Sequence, residues 1–398
     1  MEQKTRIKGN VHYVGVNDRN KHRFEAMWPL PYGVSYNSYL IDDEMVALVD
    51  TVDICYFEVY LRKIKQVIGE RPINYLIINH MEPDHSGSIR LIKQHYPEII
   101  IVGNKQTFGM IEGFYGVTGE QYLVKEGDFL ALGHHKLRFY MTPMVHWPET
   151  MMTFDETDGV LFSGDGFGCF GTVDGGFLDT RINVDKYWGE MVRYYSNIVG
   201  KYGSPVQKAL QKLGGLPISA ICSTHGPVWT ENIAKVIGIY DRLSRYDADE
   251  GVVIAYGSMY GNTEQMAEAI AEELSAQGVK NIVMHNVTKS HPSYILADIF
   301  RYKGLIIGSP TYSNQIFPEV EALLSKILLR EVKGRYLGYF GSFTWAGAAV
   351  KRLAEFAEKS KFELVGDPVE MKQAMKDLTY TQCENLARAM ADRLKKDR

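Results

Sequence analysis

Along the first part of the chain, apolar residues come in short bursts separated by Gly, Asn, Asp and Pro. Runs rich in Val, Ile, Tyr and Phe predict strands at 12–16, 36–41, 46–50, 75–79, 99–102, 137–142, 151–155, 160–163 and 220–223. Helical spacing of apolar positions predicts helices at 57–68 and 187–199. From Gly251 the rhythm changes to longer blocks in strict alternation. Strands are predicted at 252–256, 281–287, 305–308, 336–341 and 362–365, with helices starting near Thr263, Pro292, Pro318 and Ala348 and a last one from about Thr379. Five strands alternating with five helices predict a doubly wound parallel sheet. The acidic stretch 247–251 is the expected seam, giving domains 1–250 and 251–398. No internal repeat interrupts either part.

Composition narrows the function classes. The 398 residues are 45% hydrophobic and 23% charged, an ordinary globular balance, and the net charge of −4 gives no basic bias toward nucleic acid. The opening Met1-Glu2-Gln3-Lys4 leads into no apolar core, so no signal peptide is expected, and no run approaches the roughly 20 apolar residues of a spanning helix. Cys55, Cys169, Cys222 and Cys383 are scattered, with no C-x-x-C pair. This excludes a disulfide scaffold, a zinc ribbon and a rubredoxin-type iron centre within these residues. The expectation is a soluble, cytoplasmic protein with no membrane or nucleic-acid partner.

The first chemical signal follows the strand at 75–79. His80-Met81-Glu82-Pro83-Asp84-His85 puts four metal-competent side chains into six positions on what reads as an irregular loop. Packed together without a cation, the acids would repel and each polar group would need its own partner. Three later strands also end in such residues: 137–142 before His146, 160–163 before Asp165, and 220–223 before His225. Any one of these can be a capping or core residue. Four imidazoles and three carboxylates, all at strand ends, point to a metal pair.

The pattern resembles the metallo-β-lactamase-like fold, which carries H-x-H-x-D-H after a strand and then His, Asp and His. Here Glu82 stands at the second His, a replacement that resembles the flavodiiron proteins, in which the pair is iron. The resemblance implies an αββα domain with His80, Glu82 and His146 on one iron, Asp84, His85 and His225 on the other, and Asp165 bridging. An added carboxylate suits ferric chemistry better than zinc, which has no redox chemistry.

A second signal follows the strand at 252–256. Ser258, Met259, Tyr260, Gly261, Asn262 and Thr263 form a strand-to-helix turn whose N–H and hydroxyl groups can surround one anion at a helix start. Two further strand ends carry hydroxyls and aromatics: Pro310, Thr311, Tyr312, Ser313 and Asn314, then Ser342, Phe343, Thr344, Trp345, Ala346 and Gly347. Open α/β sheets bind ligands at this edge. The three loops look like flavodoxin, and a cradle for one phosphate without G-x-G-x-x-G favours FMN over FAD or NAD. Trp345 and Tyr312 are the candidates for the isoalloxazine ring, with ordinary packing equally open for either alone.

The two resemblances together cover essentially the whole chain, in the flavodiiron order. They imply an oxidoreductase that reduces dioxygen to water and/or nitric oxide to nitrous oxide, with FMN feeding a diiron site. Electron counting agrees, since a reduced flavin and a reduced iron pair together hold the four electrons that dioxygen needs. The resemblance also implies a head-to-tail homodimer, or a dimer of such dimers, and an external rubredoxin as donor. Around the metals, His22, Phe24, Trp147, Tyr194 and Tyr195 are candidates for walls or proton donors; a core aromatic (Trp147) and solvent-facing helix tyrosines are the alternatives. His12, His95, His134, His135, His285 and His291 are expected to be structural or on the surface. The competing functions are a dizinc hydrolase with a regulatory flavodoxin-like domain, an electron carrier with structural metal, and a flavin reductase acting on a small organic substrate.

Overall fold

The computed structural model describes residues 4–397, and the chain divides into two compact units, Met1–Ser244 and Arg245–Arg398. The strand Asp249–Tyr256 opens the second sheet, so the acidic stretch 247–251 lies within the second unit rather than between the two. Asp249 and Glu250 are only half-buried at the start of that strand, where their charges keep access to water.

The first unit holds two sheets. One orders its strands Arg6–Lys8, Val11–Tyr13, Tyr39–Ile41, Ala47–Val49, Tyr75–Ile77, Ile100–Gly103 and Gln121–Leu123. Its pairing is antiparallel up to Ala47–Val49 and parallel beyond. The other runs Phe129–Ala131, Lys136–Met141, Met151–Asp155, Val160–Gly164 and Ala220–Ser223, with only the last pair parallel. The inner faces share one core, in which Tyr39, Ile41, Val49 and Ile77 meet Leu137, Phe139, Phe162 and Cys222. The Tyr39 and Phe162 rings lie 5.5 Å apart across it. Phe57–Ile68 forms the expected helix and buries Phe57, Tyr60, Leu61, Ile64 and Ile68, a single stripe at 3.6-residue spacing.

Several elements depart from the sequence reading. The run at 12–16 is two strands, Val11–Tyr13 and Val16–Asp18, and four helices stand where no element was expected: Ile89–His95, Lys105–Tyr115, Gly203–Leu213 and Ile233–Ser244. The run at 36–41 is two strands, Val34–Tyr36 and Tyr39–Ile41, because the Asn37 N–H bonds the Thr224 carbonyl at 2.8 Å instead of a neighbouring strand. The helix expected over 187–199 is α-helical at Asp185–Tyr194 and π-helical at Tyr195–Val199. The loop expected at 80–85 includes one helical turn, Pro83–Ser86, entered by Pro83 at its first position.

The second unit is a parallel sheet in the spatial order Ile282–Asn286, Asp249–Tyr256, Tyr302–Tyr312, Tyr336–Phe343, then Glu363–Leu364. The fifth strand resumes as Val369–Lys372 after Gly366, whose φ of +70° makes the break. Tyr302–Tyr312 is longer than predicted because neighbours on both sides satisfy it. Ile254, Ile306 and Phe340 pack under Met266 and Ile270 of the helix Asn262–Ala276 and Leu386 and Met390 of Asp377–Lys395. The strand order reverses beside Asp249–Tyr256, which opens a crevice at the carboxyl edge.

Candidate functional site

The strand ends of the first unit converge on one buried cluster. His80, His85, His225 and Asp165 are at most 1% exposed, with His146 and Glu82 close behind. Asp165 divides the group through its two oxygens. Its Oδ2 lies 3.0 Å from His146 Nε2 and 3.8 Å from His80 Nε2, while Glu82 Oε2 is 3.1 Å from the same His146 nitrogen. Its Oδ1 lies 3.2 Å from His85 Nε2 and 3.6 Å from His225 Nε2, and Asp84 Oδ2 is 3.3 Å from His225 Nε2. Two sets of two imidazoles and one carboxylate therefore face each other across one shared carboxylate. All seven predicted residues are in the cluster.

Contacts behind the ligating faces fix the rings. His80 Nδ1 is 2.7 Å from Glu149 Oε1, and His225 Nδ1 donates to the Ser35 carbonyl at 2.8 Å. The Thr224 hydroxyl donates to Asp165 Oδ1. Asp50 accepts from the Asn79 N–H at 2.8 Å and its side-chain amide at 3.1 Å, holding the turn into His80. Burial opposes ionisation of Asp165, but the His85 charge and a hydrogen bond from His146 hold its carboxyl well below the usual range. Burial raises Asp84, whose oxygens have no hydrogen-bond partner among the described residues. Burial lowers His85, yet the charges of Asp84 and Asp165 lift it to about 10. Such a set ionises fully only with positive charge among its members.

The carboxyl edge of the second unit encloses a cavity of about 420 Å³. Ser258, Met259, Tyr260, Asn262 and Thr263 line it from the first loop, all five predicted residues of the second loop line it, and Ser342 to Ala346 line it from the third. Two predicted residues fall outside this lining. Gly261 shapes the turn with φ +89° and donates its N–H to Ser258 Oγ at 3.1 Å. A Cβ at Gly347 would stand 2.5 Å from Glu370 Oε1, the end of an exposed side chain that can move aside. Gln373 lines the cavity and carried no motif signal. No lining side chain is charged, so hydroxyls, amides and the helix start are the anion-binding groups. Trp345 is 82% exposed and Tyr260 89%, leaving flat aromatic faces at the rim.

Comparisons with known proteins agree with both halves. A family model described as ODP family beta lactamase matches residues 34–226, and one described as flavodoxin matches 254–386. The rubredoxin oxygen:oxidoreductase of Desulfovibrio gigas aligns over 97% of each chain at 31% identity with a TM-score of 0.93. The flavodiiron protein of Giardia intestinalis aligns over 98% of this chain and 97% of its own, with 26% identity and a TM-score of 0.91. The anaerobic nitric oxide reductase flavorubredoxin of Vibrio vulnificus is 32% identical over 363 residues, 90% of this chain and 73% of that protein. The chain belongs to the flavodiiron protein family.

As a flavodiiron protein, its cofactors are FMN and an iron pair, and the residues present fit both. For the metals, the test is the buried atoms left over: both Asp84 oxygens, His85 Nε2 and His225 Nε2 lack hydrogen-bond partners among the described residues, and all face the cluster. Mixed imidazole and carboxylate donors suit iron. For FMN, the uncharged loops at the start of a fifteen-residue helix provide a cradle, and the aromatic rim provides stacking faces.

The candidate walls sort unequally. Phe24 packs edge-on to His225, with ring centroids 5.3 Å apart, and Trp147 edge-on to His80 at 5.2 Å. The Tyr194 ring lies 5.8 Å from His225, and its buried Oη has no hydrogen-bond partner among the described residues. Burial and the Asp165 charge push its phenol far above the ordinary value. Tyr195 turns to Tyr240 instead, edge-on at 5.1 Å, and His22 is exposed. His22 touches the fold through its carbonyl, which accepts from Leu30 N at 3.0 Å. Glu149, Thr224, Ser35 and Tyr36, whose buried ring stands 6.1 Å from His225, carry no sequence motif that marks them. Of the remaining histidines, His135 bonds Asp155 and His285 bonds Asp298, both at 2.9 Å.

Proposed function

We propose that this chain reduces dioxygen to water and/or nitric oxide to nitrous oxide, with FMN passing electrons to the iron pair. The observation that carries this reading is the division of Asp165, one oxygen toward each set of ligands. His80, Glu82 and His146 would hold one iron, Asp84, His85 and His225 the other, with Asp165 bridging. When bound, the irons supply the reversible electron storage that a gas reduction needs. The protein's own part is to fix the rings, exclude bulk water with Phe24 and Trp147, and offer the Tyr194 O–H as a proton or hydrogen-bond donor to bound substrate. Burial and the Asp165 charge keep that phenol protonated across the neutral range.

In the second unit, Ser258, Asn262 and Thr263 would take the FMN phosphate, and Trp345 and Tyr312 the ring system. The four cysteines are free and none forms a C-x-x-C pair, so these residues hold no rubredoxin-type centre of their own, and rubredoxin is the donor class proposed. Free thiols suit the reducing cytoplasm. No helix of the described residues is long and apolar enough to cross a membrane. A head-to-tail homodimer would bring the flavin of one subunit to the irons of the other. The named relatives are oxidoreductases, which favours this reading over the hydrolase alternative.

The test is iron, zinc and FMN content per chain after expression with iron, followed by anaerobic turnover with reduced rubredoxin. Two irons, one FMN and consumption of either gas are expected. A zinc pair with no gas consumption overturns the proposal.

A further inference from the structure

The two sets of ligands are chemically matched at the front, each with two imidazoles, one carboxylate and one oxygen of Asp165. They are not matched at the back. The Glu149 side chain, 1% exposed, places Oε1 2.7 Å from His80 Nδ1 and 2.9 Å from the Met81 N–H. Its main chain is pinned by the Asn104 side-chain amide, 2.6 Å from the Glu149 carbonyl. Its Oε2 has no hydrogen-bond partner among the described residues, so the hydrogen bonds of the carboxylate run through Oε1, to His80 and the Met81 N–H. On the other side no carboxylate bonds a ring Nδ1: His225 Nδ1 meets the neutral Ser35 carbonyl, and His85 Nδ1 is buried without a hydrogen-bond partner among the described residues, the Asp50 carboxylate acting on His85 through its charge alone while it bonds the Asn79 N–H.

Asp165 tilts the same way. Thr224 donates a hydrogen bond to Oδ1, the oxygen facing His85 and His225, and so draws electron density from that donor atom. Oδ2 faces the His80 set, with His146 at 3.0 Å. An imidazole backed by a carboxylate is a stronger donor and favours the more highly charged metal state, and the low dielectric of a buried site magnifies the difference.

We propose that Glu149 makes the two metal positions unequal, stabilising oxidised metal at the His80–Glu82–His146 position so that the Asp84–His85–His225 position is reduced first. Glu149 is a positioning and tuning residue: it touches His80, not the substrate. The inference rests on the diiron reading above and deepens it by assigning an order to the two positions.

Glu149→Gln tests it, since the amide oxygen still accepts from His80 and Met81 while the charge is gone. In an anaerobic redox titration followed by electron paramagnetic resonance, the half-reduced iron pair should be a smaller fraction of the variant than of the wild type. The expected drop in the comproportionation constant is about tenfold, equivalent to about 59 mV between the two one-electron couples. Glu149→Asp, which keeps the charge, should restore the separation. Wild-type separation in Glu149→Gln overturns the proposal. Zinc binding to metal-free protein provides a second arm that needs no iron. In a His225→Ala background, Glu149→Gln should weaken zinc about 10- to 100-fold, and in a His146→Ala background it should change little. Equal weakening in both, or none in either, overturns the role of Glu149. Failure of the wild type to hold an iron pair overturns the diiron reading alone, because the zinc arm still reads the asymmetry.

Discussion

Under the proposed function, Tyr194 trades stability for chemistry. Its hydroxyl is fully buried beside Asp165 and Glu82 and makes no hydrogen bond among the described residues, a condition that costs a native protein about 1–3 kcal/mol. Tyr194→Phe removes that burden and keeps the ring against Phe24, Phe170 and His225. The variant should melt at the same temperature or higher, retain iron and FMN, and turn over gas about 100-fold more slowly if the hydroxyl delivers the proton. Unchanged turnover with raised stability would make Tyr194 a wall. The candidate ligands were legible in the sequence, because His, Asp and Glu are strong metal donors and each group of them follows an apolar strand. What holds them was hidden. The Ser35 carbonyl that orients His225 is a main-chain atom with no residue signature, and Glu149 looks like any loop acid until the chain brings it behind His80.

At the scale of elements, the loop that carries His225 is held by a second buried carboxylate. Asp179 is 4% exposed and accepts from Thr230 Oγ1 at 2.7 Å and from the N–H groups of Thr230 and Asn232, both at 2.9 Å. It therefore satisfies the chain just before the helix Ile233–Ser244. Burial alone would raise its pKa, but these donors lower it below the ordinary value. The linkage has one sign: the stabilisation is complete above the unfolded pKa of about 3.9 and is lost as pH falls through the depressed folded value. Asp179→Ala should cost about 2–3 kcal/mol in urea unfolding at pH 7. The gap between variant and wild type should close below about pH 4; a gap constant down to pH 2 would mean that packing, not charge, accounts for it. Alternation of strand and helix was readable in the second unit because its central strands are buried on both faces and run apolar. In the first unit the same reading failed where side chains interrupt the backbone. Asn37 ends a strand by reaching across to Ser223 and Gly226, both far away in sequence. The π-helical turn after Tyr194 likewise leaves no periodic trace that distinguishes it from α-helix.

For the whole molecule, the decisive question is which flavin serves which irons. A chain carrying Asp165→Ala should keep FMN and lose gas turnover, since the shared carboxylate is gone from both metal positions. A chain carrying Asn262→Trp should keep its metals and lose FMN, because the indole would occupy the cavity at the start of the helix. If electrons pass within one chain, no mixture of the two variants can work, as neither chain has both centres. If they pass between chains of a two-fold dimer, each mixed dimer retains one competent couple, formed by the flavin of one variant and the irons of the other. Random exchange makes half of the dimers mixed, each with one couple of two, so about a quarter of wild-type turnover should return. The particle itself should sediment at twice the 45.2 kDa chain, or at a multiple of that dimer. Recovery requires subunit exchange, so the variants should be co-expressed with different tags and the doubly tagged dimer isolated; that species should show about half of wild-type activity per dimer. An inactive doubly tagged dimer would place flavin and irons of the same chain together and refute the head-to-tail arrangement.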